Sequence, residues 1–184
     1  MNRIALTALG AAALIVPTSL SAELPVGAKA PNFATQGALA GKAFGFNLAA
    51  ALRKGPVVLY FYPKSFTQGC TLEAHAFAEA MSDFRKAGAT VIGLSADDLE
   101  TQKKFSTEHC RDKFPVAIAT PAIIQAYQVQ LRKPDGTVLP VTSRTSYVIG
   151  RDGRIKLSYS NMDYADHVKQ SLAAVRALHG SHKH

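Results

Sequence analysis

The stretch FYPKSFTQGCTLEAHAF, residues 61–77, decides the fold, because it joins a strand-like run to a helix-like run. The overlapping segment PVVLYFY, residues 56–62, is rich in β-branched and aromatic residues without polar alternation, which is typical of a strand buried on both faces. Over residues 72–84 the apolar side chains recur at helical spacing. Cys70, one of only two cysteines, is therefore predicted to lie in the first turn of a helix that follows a buried strand.

Outward from this stretch, the remaining segments alternate between strand and helix patterns. Asp97 followed by Glu100 is typical of a helix start, and a strand-turn-strand pattern surrounds Asp152-Gly153. The predicted elements are a strand at 89–95, a helix from 98 to about 110, a short strand at 114–120, a short helix at 121–127, a loop or small hairpin at 128–143, two strands within 145–160, and a helix at 163–178.

The order of these elements indicates the fold class. A parallel strand-helix-strand half followed by an antiparallel hairpin half predicts an α/β fold with a mixed central sheet and helices on both faces. The Gly- and Ala-rich segment before residue 56 predicts an extra edge hairpin and a short helix near residues 48–52. This arrangement is similar to the thioredoxin fold with an N-terminal extension, in one domain that covers residues 23–184.

Residues 1–22 are expected to be a signal peptide. Arg3 precedes an uncharged apolar run over residues 4–16, and cleavage is expected just after Ser21 or Ala22. The run is too short for a membrane anchor, which needs roughly 20 apolar residues. We therefore expect an exported protein, located in the periplasm.

Composition and charge exclude several other classes of function. The 184 residues are 47% hydrophobic and carry a formal net charge of +8, without a dense Lys/Arg block interleaved with aromatic residues. We expect no nucleic-acid partner and no stable membrane anchor. The tail histidines His179, His182 and His184 are expected to be a solvated chain end, so we predict no metal site.

The position of Cys70 favours the reactive form of its side chain. Unpaired backbone N–H groups and the helix dipole at a helix start stabilise a thiolate, which is a strong nucleophile. A lone cysteine without such context is more often a small buried hydrophobic residue. Because an exported protein can form disulfides, a structural Cys70–Cys110 disulfide and a catalytic cysteine pair both remain open at this point.

The residues around Cys70 resemble a known active-site motif. Pro63, Thr67 and Cys70 form the pattern PxxxTxxC, which is similar to the motif of peroxiredoxins, and the flanking residues resemble the bacterioferritin comigratory protein or peroxiredoxin Q branch. The resemblance covers roughly residues 26–160. It implies a thiol-dependent peroxidase that reduces hydrogen peroxide and organic hydroperoxides with Cys70 as the peroxidatic residue. A thioredoxin-type thiol-disulfide oxidoreductase, the alternative on this fold, would carry CxxC where this chain has Thr67.

The resemblance also implies roles for residues around the thiol. Thr67 would orient the peroxide, and Pro63 would cover Cys70. Arg144, in SRTSYVIGRDG, matches an arginine that stabilises both the thiolate and the departing oxygen. Glu73, one helical turn after Cys70, would hold that arginine in place.

The second cysteine raises the question of how oxidised Cys70 is recycled. Many members of this branch carry a resolving cysteine five residues after the first, where this chain has His75. Others resolve from the second helix, near Ser106, and Cys110 is therefore our predicted resolving residue.

Other outcomes remain open. If Cys110 is inert, the protein is a one-cysteine peroxiredoxin reduced by an external thiol. A third class is a binding or structural protein with an inactive site and a Cys70–Cys110 disulfide. The resemblance implies no cofactor, a thioredoxin-like reductant, and a monomer.

Overall fold

The structure, a computed structural model, describes residues 23–180. The predicted signal peptide at residues 1–22 and the tail residues His182 and His184 lie outside the described residues. Within residues 23–180 the strands are β1 Ala34–Leu39, β2 Lys42–Asn47, β3 Val57–Phe61, β4 Thr90–Ser95, β5 Val116–Ile118, β6 Gln130–Arg132, β7 Val138–Thr142, β8 Thr145–Ile149 and β9 Ile155–Ser160. The helices are α1 Leu48–Leu52, α2 Gln68–Lys86, α3 Leu99–Glu108, α4 Pro121–Ala126 and α5 His167–Gly180.

The main sheet is mixed and has the strand order β2-β1-β5-β4-β3-β8-β9. β3, β4 and β5 are parallel, whereas β8 is antiparallel to both β3 and β9. The predicted hairpin β1–β2 lies at one edge and joins the sheet through antiparallel pairing of β1 with β5. The predicted α/β fold with a mixed central sheet is therefore confirmed, and β6 and β7 form a separate small hairpin.

The central strand β3 contributes to two hydrophobic cores, one on each face of the sheet. Val57, Leu59 and Phe61 pack on the face that α1 and α4 cover. Val58 and Tyr60 pack on the opposite face, against α2, α3 and α5. Because successive side chains of a strand point to opposite faces, a strand buried throughout must be apolar at every position, as the sequence predicts.

The face covered by α2, α3 and α5 contains both cysteines. Tyr60 lies across the neighbouring strand β4 at Gly93, where a Cβ atom would stand 2.7 Å from the Tyr60 hydroxyl oxygen. Glycine is therefore required at this position of β4. The Tyr60 ring stacks on Phe77 of α2 with a centroid distance of 4.3 Å, which anchors the helix that carries Cys70.

The third helix is shorter than the sequence predicts. α3 begins after Asp98, whose side chain accepts a hydrogen bond from the Thr101 amide at 2.8 Å, and it ends at Glu108 rather than near residue 110. Arg111 and Asp112 both adopt positive φ angles, 51° and 56°, which a right-handed helix cannot include. Cys110 consequently lies in a tight turn after the helix. No helix within residues 23–180 has the length and apolar character needed to cross a membrane.

Candidate active site

Cys70 lies in the first turn of α2, beyond the carboxyl end of β3. Its side chain is only 1% exposed. Thr67 is the N-cap residue, and the first amides of the helix have no partners within it, so the positive end of the helix dipole is directed at this turn. The local sequence thus brings the sulfur to a position that favours an anion.

Arg144 lies beside Cys70 because of the strand register. Thr145, the first residue of β8, pairs with Phe61, the last residue of β3, and this brings the preceding Arg144 to the end of β3 where α2 begins. The guanidinium Nη2 atom lies 3.5 Å from the Cys70 sulfur, and Nε donates to the backbone oxygen of Met162 at 3.0 Å. These two contacts orient the planar guanidinium, which is always charged, so that one of its N–H groups faces the sulfur.

Gly69 leaves room for this guanidinium. A Cβ atom on Gly69 would stand 3.1 Å from Arg144 Nη2, closer than most side-chain contacts. A residue without a side chain next to Cys70 therefore allows the charge to approach the sulfur.

Glu73 binds the other side of the same guanidinium. Its Oε2 atom accepts a hydrogen bond from Arg144 Nη1, and both side chains are buried. Burial raises the pKa of Glu73 to about 8, although Arg144 acts in the opposite direction. Burial also opposes the charge of Arg144, but Glu73 and Cys70 outweigh it and raise the pKa of the guanidinium. Arg144 is thus shared between a carboxyl group and a thiol.

Sequence reasoning missed His167, the first residue of α5. Its Nδ1 atom lies 3.8 Å from Glu73 Oε1 and 2.8 Å from Ser146 Oγ, and the side chain is fully buried. The signal was the spacing of His167, Ser171 and Val175, which occupy the buried stripe of α5 at intervals of four residues. A buried histidine in this stripe indicates a polar partner inside the protein.

Thr67 and Pro63 lie in the segment that connects β3 to α2. The Thr67 side chain is exposed, and its hydroxyl donates to the backbone oxygen of Lys64 at 2.9 Å. Since that bond uses the hydroxyl proton, the oxygen is left as a hydrogen-bond acceptor. Pro63 is half-buried immediately after β3.

Cys110 is fully buried and is a free thiol, as is Cys70. Burial, reinforced by Asp112, raises the pKa of Cys110 well above its ordinary value, so this side chain is neutral. Burial also raises the pKa of Tyr60, whose ring lies in the same hydrophobic core as both cysteines. The two thiols therefore share the aromatic core around Tyr60.

Ser106, near which the sequence resemblance places the resolving position, has a different environment from Cys110. The Ser106 hydroxyl accepts a hydrogen bond from the Gly41 amide at 3.0 Å and donates to the backbone oxygen of Lys103 at 2.7 Å. Ser106 therefore holds α3 against the β1–β2 turn, whereas Cys110 packs in the core that contains Cys70.

His75 joins α2 to the end of α3. Its Nε2 atom lies 3.3 Å from Nδ1 of His109, the C-cap residue of α3. The Phe66 ring, which is 43% exposed, contacts the edges of both Phe105 and His109. These contacts connect the segment before Cys70 to the helix before Cys110.

Within the described part of the chain, no cluster of three or more His, Cys, Asp or Glu side chains could hold a metal ion.

Comparisons with known proteins show the family of this chain. The model of the AhpC/TSA family matches residues 26–158. Peroxiredoxin Q from the chloroplast of Suaeda salsa is 34% identical over 140 residues, which are 73% of this chain and 62% of that protein, so the chain spans a little under two thirds of its length.

Two solved structures are also similar. The crystal structure of peroxidoxin BcpB from Mycobacterium tuberculosis superposes with a TM-score of 0.73 at 30% identity, over 83% of this chain and 97% of the other. The bacterioferritin comigratory protein of Xanthomonas campestris gives a TM-score of 0.69 at 27% identity, over 78% and 91% of the two chains.

The fold and the site together define a thioredoxin-like domain with one cysteine at the start of its first long helix and an arginine against the sulfur. The chain belongs to the AhpC/TSA family, and within it the chain is similar to the peroxiredoxin Q and Bcp proteins.

Proposed function

We propose that this protein is a thiol-dependent peroxidase that reduces hydrogen peroxide and organic hydroperoxides through Cys70. The observation that carries the proposal is the contact between Arg144 and the Cys70 sulfur at a helix N-terminus. The Xanthomonas campestris relative, whose structures were used to study alkyl peroxide reduction, supports the substrate class. Thr67 in place of a first cysteine argues against dithiol exchange at this site.

The first step consumes the peroxide. The Cys70 thiolate attacks the terminal oxygen of ROOH, so an S–O bond forms as the O–O bond breaks. The sulfur is oxidised to sulfenic acid, the peroxide is reduced, and the departing RO⁻ takes a proton from solvent to give ROH. Arg144 stabilises the thiolate beforehand and the negative charge on the departing oxygen during the step.

Thr67 orients the peroxide. Because its hydroxyl proton is bound to the Lys64 oxygen, Thr67 accepts a hydrogen bond from the OH group of ROOH. This bond holds the terminal oxygen toward the sulfur and the OR group away from it. Pro63 limits the access of water to the thiolate.

The second step removes the sulfenic acid. Cys110 condenses with it to form a Cys70–Cys110 disulfide, and the hydroxyl group leaves with the Cys110 proton as water. Both thiols are buried, Cys70 in α2 and Cys110 in the turn after α3, so we expect the residues around them to unwind locally as the disulfide forms. A thioredoxin-like dithiol then reduces the disulfide to two thiols and becomes a disulfide itself.

Three proteins compared side by side test this cycle: wild type, Cys70→Ser and Cys110→Ser. We expect Cys70→Ser to lose peroxide consumption. We expect Cys110→Ser to complete one oxidation and then accumulate sulfenic or over-oxidised Cys70, visible as added oxygen in the intact mass. An unaltered cycle in Cys110→Ser would make the protein a one-cysteine enzyme, and peroxide consumption by Cys70→Ser would refute the proposal.

On this proposal the enzyme works outside the cytoplasm as a monomer, with residues 1–22 removed on export. The support is the charge and apolar pattern of residues 1–22. Fractionation of cells that express the full chain, with the intact mass of the periplasmic form, tests export, and light scattering on that form tests the oligomeric state.

A further inference from the structure

His167 is a buried histidine that no step of the proposed peroxide reaction uses. It begins α5, and its side chain is fully enclosed. Nε2 lies 2.8 Å from the backbone oxygen of Asn161, whereas Nδ1 lies 2.8 Å from Ser146 Oγ and 3.8 Å from Glu73 Oε1. The ring thus stands between a fixed loop and the carboxyl group that binds Arg144.

The hydrogen bonds of His167 determine its tautomer. The Asn161 oxygen is a backbone carbonyl and can only accept, so Nε2 carries a proton. Burial lowers the pKa of His167, which favours the neutral ring. In a neutral ring the remaining nitrogen is an acceptor, and Nδ1 therefore presents its lone pair toward Ser146 and Glu73.

Glu73, in turn, has one carboxyl oxygen that lacks a hydrogen-bond partner within residues 23–180. Among the described residues, no partner donates a hydrogen bond to, or accepts one from, its buried Oε1 atom. If Glu73 were ionised, its buried Oε1 atom would carry negative charge without water or a hydrogen-bond donor. The carboxylate would also compete with the Cys70 thiolate for the positive charge of Arg144. A protonated Glu73 carries an O–H group that a nearby acceptor can satisfy.

We propose that His167 is a positioning residue of the Cys70 site, an inference that rests on the peroxidase function proposed above. Its Nδ1 atom accepts a hydrogen bond from the protonated Oε1 atom of Glu73 after a small side-chain rotation closes the gap between them. Glu73 then remains neutral, and the charge of Arg144 acts on Cys70 and the peroxide instead of on the carboxyl group.

The surrounding charges are compatible with this assignment. Around Glu73 they are Arg144, Cys70 and Tyr60, and the balance of burial and Arg144 leaves the pKa of Glu73 at about 8. Around His167, Arg144 disfavours a second positive charge, whereas Asp163 and Asp166 favour it less strongly than burial opposes it. At neutral pH both Glu73 and His167 are therefore mainly uncharged.

The test compares the pH dependence of Cys70 oxidation in wild type, three single variants and the double variant Glu73→Gln/His167→Gln. The variant His167→Gln keeps an amide donor for the Asn161 oxygen but lacks Nδ1. Glu73→Gln supplies a permanently neutral side chain, and Ser146→Ala removes the group that competes with Glu73 for Nδ1. Peroxide consumption under single-turnover conditions gives the rate constant for each.

In wild type we expect the rate constant to fall on the alkaline side with a midpoint near the Glu73 pKa of about 8. Glu73→Gln should lack this fall. His167→Gln should move the fall to lower pH by roughly one unit and slow oxidation about twofold at pH 7, while Ser146→Ala should move it to higher pH. In the Glu73→Gln background, His167→Gln should have no further effect on the rate.

A purely structural His167 would behave differently. If the role of His167 were only structural, His167→Gln would have a lower melting temperature and an unchanged pH profile. That result would overturn the proposal. If His167→Gln does not fold, Ser146→Ala decides alone, because an unshifted profile in that variant also overturns it.

A spectroscopic measurement separates this proposal from the peroxidase function. The infrared carbonyl band of a protonated buried carboxyl should be present in wild type, absent in Glu73→Gln and shifted in His167→Gln. These differences do not require turnover, so they support the role of His167 even if the wild type fails to consume peroxide. Absence of the band in wild type would overturn the inference while leaving the peroxidase function in place.

Discussion

Replacement of Arg144 by methionine removes the only cation that contacts the Cys70 sulfur among the hydrogen bonds of the described residues. Two unit charges 3.5 Å apart interact by about 5 kcal/mol at an effective dielectric constant of ~20. Water that enters the space of the lost guanidinium should restore about half of this. The remaining 2–3 kcal/mol corresponds to a loss of roughly 30- to 150-fold in the rate constant for peroxide, since each 1.36 kcal/mol is about tenfold.

The assay must not depend on tryptophan fluorescence, because the chain contains no tryptophan. Competition for peroxide with a haem peroxidase, followed through the haem absorbance, gives the rate constant directly. Arg151→Met is the matched control, since it removes the same charge from an exposed arginine that binds the backbone oxygens of Arg53 and Lys54. We expect the control to react within about twofold of wild type.

Arg144→Met also leaves Glu73 without its partner, so the double variant Glu73→Gln/Arg144→Met is needed. If the loss arises from the missing charge on Cys70, the double variant should remain as slow as Arg144→Met. A rate constant within twofold of wild type in Arg144→Met would refute the reasoning, because the guanidinium would then make no measurable contribution to the reactivity of the thiolate.

Three further predictions follow from individual contacts. Gly69→Ala places a Cβ atom 3.1 Å from Arg144 Nη2, so peroxide oxidation should slow several-fold while urea denaturation shows unchanged or slightly higher stability, since alanine favours a helix. Phe77→Ala should lower the free energy of unfolding by about 3–5 kcal/mol in the same measurement, because it empties a fully buried ring site. The folded-state pKa of Glu73, about 8, exceeds its unfolded value of 4.5, so its contribution to stability is complete below pH 4.5 and is lost as pH rises through 8. Between pH 6.5 and 8 the stability of wild type should therefore fall more steeply than that of Glu73→Gln.

Most elements of the fold could be predicted from local sequence patterns. The apolar run before Cys70 and the helical spacing after it predict β3 and α2, because burial on two faces or on one stripe leaves a direct mark on the sequence. The end of α3 left no such mark. Arg111 and Asp112 adopt left-handed conformations without a glycine, so the helix was predicted to run about two residues too far.

The residues of the candidate site also differ in how far the sequence alone could predict them. Cys70 and Glu73 lie one turn apart on a single helix, so the sequence alone indicates that they are neighbours. Arg144 is far along the chain, and only resemblance to a family suggested it before the β3–β8 register brought it to the sulfur. His167 was missed because periodicity shows that a helix face is buried but not which side chain from another element it meets.

The contacts of Cys70 bear on the order of events in the proposed cycle. While the sulfur is a thiolate, Arg144 attracts it and so holds the first turn of α2 in place. Conversion to sulfenic acid removes the negative charge, and the attraction then falls from that of an ion pair to that of a hydrogen bond from the guanidinium to a neutral acceptor. The restraints on the segment before Cys70 include the contacts of Phe66 and His75 with the end of α3, which are partly exposed and individually weak. Oxidation therefore lowers the cost of the unwinding that Cys110 needs, and the structure favours reaction with peroxide before, not after, the site opens.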